Sequence, residues 1–272
     1  MVVDSVNPLT IVKSLISKRS LILALAKRDV VGRYRGSFMG LLWSFFYPLL
    51  MLAVYTFVFS VVFGARWQGG TGSRTEFALV LFTGLIAFNF FSECLGRAPT
   101  MIVSNVNYVK KVVFPLEILA VVNIVSAGFH MAVSAFVWLI FYLVLFGVPT
   151  PEILWLPVAL LPLGFFTLGA TWLLASLGVF LRDVSQVIMV VITVLMFMSP
   201  IFYSVEAMPE KYRPFILANP LTIIIEQVRG VMIWGRPINW SVWAWLVPVS
   251  ILVAWIGFAW FQKTRKGFAD VL

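Results

Sequence analysis

The sequence has one cysteine, Cys94, and one histidine, His130. A lone cysteine excludes an intrachain disulfide framework and a cysteine metal site, and a lone histidine excludes a multi-histidine metal centre within one chain. Charge is also scarce: Asp, Glu, Lys and Arg make up 11% of the 272 residues, against about 25% in soluble globular domains. So few charges cannot furnish a water-facing shell, which excludes an all-soluble enzyme. No G-x-x-x-x-G-K-[ST] phosphate loop occurs, so any dependence on ATP has to come from a partner. There is no G-x-S-x-G nucleophile elbow either.

Hydrophobic residues are abundant, at 61% of the chain, with aromatics at 16%. A helix needs about 20 apolar residues to cross a hydrocarbon layer of about 30 Å. Windows of that kind lie near 38–63, 77–96, 117–147, 153–180, 187–203 and 242–261. The fold class read from them is an all-α polytopic membrane protein with six transmembrane helices. Two parts follow: a cytoplasmic arm, 1–36, and a single transmembrane domain, 37–272. The arm carries seven basic groups and no long apolar core, so it does not read as a secretory signal. Within 9–28, apolar side chains recur at helical spacing among Lys and Ser, which predicts an amphipathic helix in the membrane interface, or one packed on the protein's own flank.

The net charge of +9 gathers in short stretches between the apolar runs, a pattern of membrane orientation rather than nucleic-acid binding. With six spans both termini share a side, and that side holds 14 Lys and Arg against 6 on the other. The positive-inside rule therefore places both termini in the cytoplasm. The connection 204–241 is broken by Pro209, Pro214 and Pro220, and its apolar run Leu221 to Trp234 is too short to span. It reads as a re-entrant or interfacial helix pair, or as an amphipathic loop, at the outer face.

Charges inside apolar segments are costly and therefore informative. Glu93 and Arg97 stand one helical turn apart, which suits an internal pair; a substrate or gating role is the other reading. Glu226 and Arg229 offer a similar choice. His130 shares a helical stripe with Ser126 and Ser134, so it either knits helices together or serves as the acid-base group of an intramembrane enzyme. Trp43, Tyr47, Phe88, Phe91, Phe202 and Tyr203 fit interface anchors or lipid-facing surface, but aromatic faces also stack on sugar rings.

The run Arg33-Tyr34-Arg35-Gly36-Ser37-Phe38-Met39-Gly40-Leu41-Leu42-Trp43-Ser44, followed by Tyr47-Pro48-Leu49, resembles the first span of the membrane subunits of ABC-2 type polysaccharide exporters, which carry O-antigen, teichoic acid and capsular polymers. Gly84 to Phe91 resembles the second span of that family, and Asn105 to Pro115 the cytoplasmic segment after it. Ser199-Pro200-Ile201-Phe202-Tyr203 and Asn219-Pro220-Leu221-Thr222 complete the series. The resemblance covers nearly the whole chain, in order.

It implies a coupling helix within 97–115, re-entrant helices within 204–241, a homodimer around a shared channel, and two copies of a separate ATPase subunit that binds ATP and Mg. This chain would hold no cofactor, no metal and no catalytic residue. The expected cargo is a polyprenyl-diphosphate-linked polysaccharide, O-antigen first, with teichoic acid or capsular polymer as alternatives. The location implied is the bacterial cytoplasmic (inner) membrane, among membrane lipid. Residue by residue, Arg33 and Arg35 are the expected lipid-diphosphate contacts, or else headgroup anchors. Trp43, Tyr47, Phe88 and Phe91 are the expected channel aromatics and Tyr203 the outer gate, while Asn107, Tyr108, Lys110 and Lys111 are expected to couple to the ATPase. An exporter of a small lipid or drug, an intramembrane enzyme using His130, and an ATP-independent channel are the rival functions.

Overall fold

The computed structural model describes residues 8–67, 70, 72–110 and 114–272. Its regular elements are helical among those residues. The arm forms α1 (Pro8–Ser17) and α2 (Arg19–Tyr34). On α2, the buried residues Ile22, Leu25, Ala26 and Val30 follow a 3.6-residue period, so one face is apolar. Ile22, Leu25 and Ala26 join Ile118 and Val122 in one cluster, which lays this part of the arm along the protein's own flank. Gly36, at φ 86°, turns the chain out of the helix.

The first apolar segment, Gly40–Val62, contains α3 (Trp43–Tyr55) and a π-helical continuation, Thr56–Val62. Only 11% of its most apolar window is buried, so its surface is left to lipid or a partner. By contrast α4 (Arg74–Arg97) is 78% buried over its window and forms the hub of the bundle. The Ser73 hydroxyl accepts from the Glu76 amide and caps its start.

After short turns come α5 (Val106–Lys110) and then α6 (Ile118–Phe146), α7 (Leu156–Phe180) and α8 (Val184–Met198). The chain continues through α9 (Arg213–Leu217), α10 (Pro220–Met232), α11 (Trp240–Thr264) and α12 (Phe268–Val271). Helices α7 and α11 meet backbone to backbone: a methyl group on Gly169 would collide with the main chain of Val253 and Ala254, and one on Gly257 with that of Gly169. Small residues admit such approach, which is how helices associate where lipid removes the hydrophobic drive between them.

Five helices among the described residues are long and apolar enough to cross a membrane. They overlap the windows at 38–63, 77–96, 117–147, 153–180 and 242–261. At 187–203 the helix begins earlier and ends at Met198, giving 15 residues, or about 22 Å. This is shorter than a full span because Ser199 turns to an extended conformation before Pro200. Beyond it, Glu210–Leu217 and Pro220–Met232 form a pair bent by 92°; counted as one broken span it makes a sixth.

Candidate functional site

Four helices deliver polar groups to one cavity of about 600 Å³. Arg33 and Tyr34 come from the end of α2, Trp43 and Tyr47 from α3, Asn89 and Glu93 from α4, and His130 and Ser134 from α6. On each of the last three helices the two residues are four apart, so they share a face. Pro48, Met51, Phe82 and Phe90 complete an apolar wall.

Glu93 is the centre of the polar end. Its Oε1 lies 2.7 Å from Arg33 Nη2 and 3.0 Å from His130 Nδ1. The Arg33 Nη1 also lies 3.2 Å from His130 Nδ1, and the Tyr34 hydroxyl is 3.2 Å from His130 Nε2. When Nδ1 carries the proton it donates to Glu93, and Nε2 accepts from Tyr34. Burial raises the Tyr34 phenol above its ordinary range, with the Glu93 charge adding to the rise against an opposing effect of Arg33.

Beneath the cavity a second ion pair fastens α2 to α4. Arg97 donates to Asp29 through two bonds of 2.6 and 2.9 Å, the bidentate geometry guanidinium favours. Burial pushes the Asp29 carboxyl up, but the bonds and charge of Arg97, with Ser126 and Arg33, outweigh it and hold the group below the usual carboxylate range. Glu93 also lies 4.0 Å from Arg97. The pair expected within α4 is thus the longest contact of the set: the stronger partners of both residues come from α2 and α6, which a single-helix reading cannot reach.

The four aromatics grouped by sequence are divided by helix rotation. Trp43 and Tyr47 face the cavity. Phe88 and Phe91 are each 2% exposed, near one another and with Phe91 stacked on Phe166 at 6.2 Å; these rings are interior packing. Phe90 lines the cavity instead. Arg35 follows α2 as an exposed, extended residue and does not line the cavity. Tyr203 lies elsewhere, its hydroxyl donating to the Phe197 carbonyl at 2.8 Å.

In the segment after α4, Tyr108 stacks on Phe114 with centroids 4.3 Å apart. Its hydroxyl accepts from Arg28 at 2.9 Å. Lys110 donates to the Leu272 carbonyl, Asn107 is exposed, and Lys111 lies outside the described residues. The hydroxyls of Ser126 and Ser134 donate to the carbonyls of Ala26 and His130, so neither serine addresses the imidazole as a nucleophile would. Asp29 was not singled out from sequence, although it is the one acidic residue between Asp4 and Glu76; that isolation in a basic arm was the available signal.

The cavity thus lies among the arm and three of the apolar spans. The model of the ABC-2 type transporter family matches residues 20–233. The chain belongs to the ABC-2 type transporter family. Among similar ABC-2 relatives, an O-antigen export system permease protein RfbA of Myxococcus xanthus is 28% identical over 262 residues, covering 96% of this chain and 98% of the relative. Another RfbA, from Klebsiella pneumoniae, is 27% identical over 93% of this chain and 95% of its own. The capsule polysaccharide export inner-membrane protein CtrC of Neisseria meningitidis is 24% identical over 94% and 95%. The chain is therefore a multi-pass transport subunit of ABC-2 type.

Proposed function

We propose that this chain is the permease of an ABC exporter that moves a polyprenyl-diphosphate-linked polysaccharide, O-antigen first among the candidates, out across the bacterial inner membrane. The full-length similarity to O-antigen export permeases supports that cargo. The observation that carries the site is the joining of Arg33, His130, Trp43 and Tyr47 in one cavity. Guanidinium and imidazole suit phosphate oxygens, while aromatic faces suit sugar rings or an isoprenoid. The arm, packed on the flank of the bundle, presents Arg33 to the inner leaflet, and Arg35 beside it meets headgroups.

Two copies build the path from identical walls, since a single bundle is narrow for a hydrated polymer; the poorly buried faces of the first apolar segment and α8 are the surfaces available for that contact. ATP and Mg belong to two copies of a separate ATPase, which engages the segment around Asn107, Tyr108, Lys110 and Lys111. Closure of the ATPase pair moves this segment, and the Arg28 to Tyr108 bond passes the movement to α2. Tyr203 and the outer helices gate the exit.

Reconstitution tests the reading. Proteoliposomes containing this chain and its ATPase should take up lipid-linked glycan vectorially only with both proteins and ATP. If an active complex moves small lipids but no glycan, the polysaccharide assignment fails and a lipid exporter replaces it.

A further inference from the structure

We infer that Glu93 occupies the place of the lipid's diphosphate and exchanges partners when that group arrives, passing from Arg33 and His130 to Arg97. This rests on the reading above that the cavity admits a diphosphate-bearing lipid. Glu93 is placed for both positions, with its Oε1 2.7 Å from Arg33, 3.0 Å from His130 and 4.0 Å from Arg97.

The charges explain the direction. The carboxylates of Glu93 and Asp29 balance the guanidinium groups of Arg33 and Arg97. An arriving diphosphate competes with Glu93 for the same donors and repels it. Arg97, one helical turn along α4 and outside the cavity lining, is the neighbouring cation that receives it. Arg97 is then shared between Glu93 and Asp29, so the bidentate clamp of 2.6 and 2.9 Å on α2 weakens. Asp29 is adjacent in sequence to Arg28, whose guanidinium holds Tyr108 in the segment after α4. Contact by contact, occupancy of the cavity is reported to the ATPase-facing segment. Coupling of this kind is reciprocal, so loosening the clamp from the far side strengthens binding of the ligand.

The test is equilibrium binding of radiolabelled farnesyl diphosphate to the full chain in phosphatidylcholine nanodiscs, with farnesol and inorganic diphosphate as competitors. Glu93→Gln removes the competing charge and should tighten binding about tenfold; Arg97→Gln removes the receiving cation and should weaken it by a similar factor. Asp29→Asn, outside the cavity lining but one helical turn from Arg33 on α2, should tighten it as well by freeing Arg97 to receive Glu93, and that gain should vanish in the Arg97→Gln background, which loss of a nearby negative charge alone would not produce. Farnesyl diphosphate binding that depends on Arg33 but is unmoved by the Glu93 and Arg97 substitutions overturns the exchange and leaves the lipid reading standing. Absence of binding, or binding unaffected by Arg33→Gln, overturns the lipid reading and the exchange with it. Equal competition by inorganic diphosphate assigns the site to a free anion and overturns the stand-in for a lipid group.

Discussion

Arg97 grips Asp29 through two parallel hydrogen bonds of 2.6 and 2.9 Å, across 68 positions of sequence. This pair fastens the N-terminal arm to the end of the most deeply buried span. Because the folded Asp29 carboxyl is held below its unfolded value, its stabilisation is fully present above about pH 4 and is lost as pH falls through the folded value. Asp29→Asn should cost about 1–2 kcal/mol near neutrality, discounted for the pair's partial exposure, and should flatten the acid limb. Melting temperature of nanodisc-embedded protein between pH 3 and 7 measures both.

Glu117 is 1% exposed and meets Lys18 at 3.2 Å and Arg265 at 3.0 Å. One carboxylate thus ties the junction of α1 and α2 and the residues after α11 to the start of α6. Glu117→Gln leaves two cations without their counter-charge, and about 3 kcal/mol of destabilisation is expected. The same melt measures it, and Arg265→Gln in the Glu117→Gln background should add less than it does alone.

Arg229 is fully buried, donating to Glu226 at 2.9 Å and to the carbonyls of Val80, Pro200 and Ile201, with its guanidinium 4.3 Å from the Trp67 ring. It joins α10, α4 and the break after α8. A lysine ammonium keeps the charge but cannot reach these diverging acceptors together. Arg229→Lys should therefore cost about 3 kcal/mol and expose the loops around α9 and α10 to protease, scored by limited proteolysis.

Trp43 and Tyr47 differ from Phe88 and Phe91 in what a leucine would do. At the first two positions, replacement should reduce the amount or length of exported polymer with little change in melting temperature. At Phe88 or Phe91 it should lower the melting temperature by loss of about 1–2 kcal/mol of core packing. A reversed pattern, read from cell-surface glycan on gels beside the melts, would move the path to the other side of α4.

Much of the scaffold was legible because lipid imposes a simple rule: about 20 apolar residues with few charges make a span. Composition and run length therefore determined the all-helical membrane class, and the ordered motifs from Arg33 to Thr222 pointed to the family. The end of α8 was less legible, since apolar side chains continue through Ile201 and Phe202 while the backbone has already left the helix. Site residues were legible by type and not by partner. Glu93 stood out as a costly charge, yet whether it met Arg97, Arg33 or His130 depended on how α2 and α6 pack around α4. Likewise Phe88, Phe90 and Phe91 are equivalent as letters, and a rotation of about 100° per residue decides which one sees the cavity. The sequence by itself determined the nature and rough placement of the apolar segments, because partition into lipid is nearly additive along the chain. Only the tertiary structure decided the pairing of charges and the facing of rings, because those depend on distances between segments far apart in sequence.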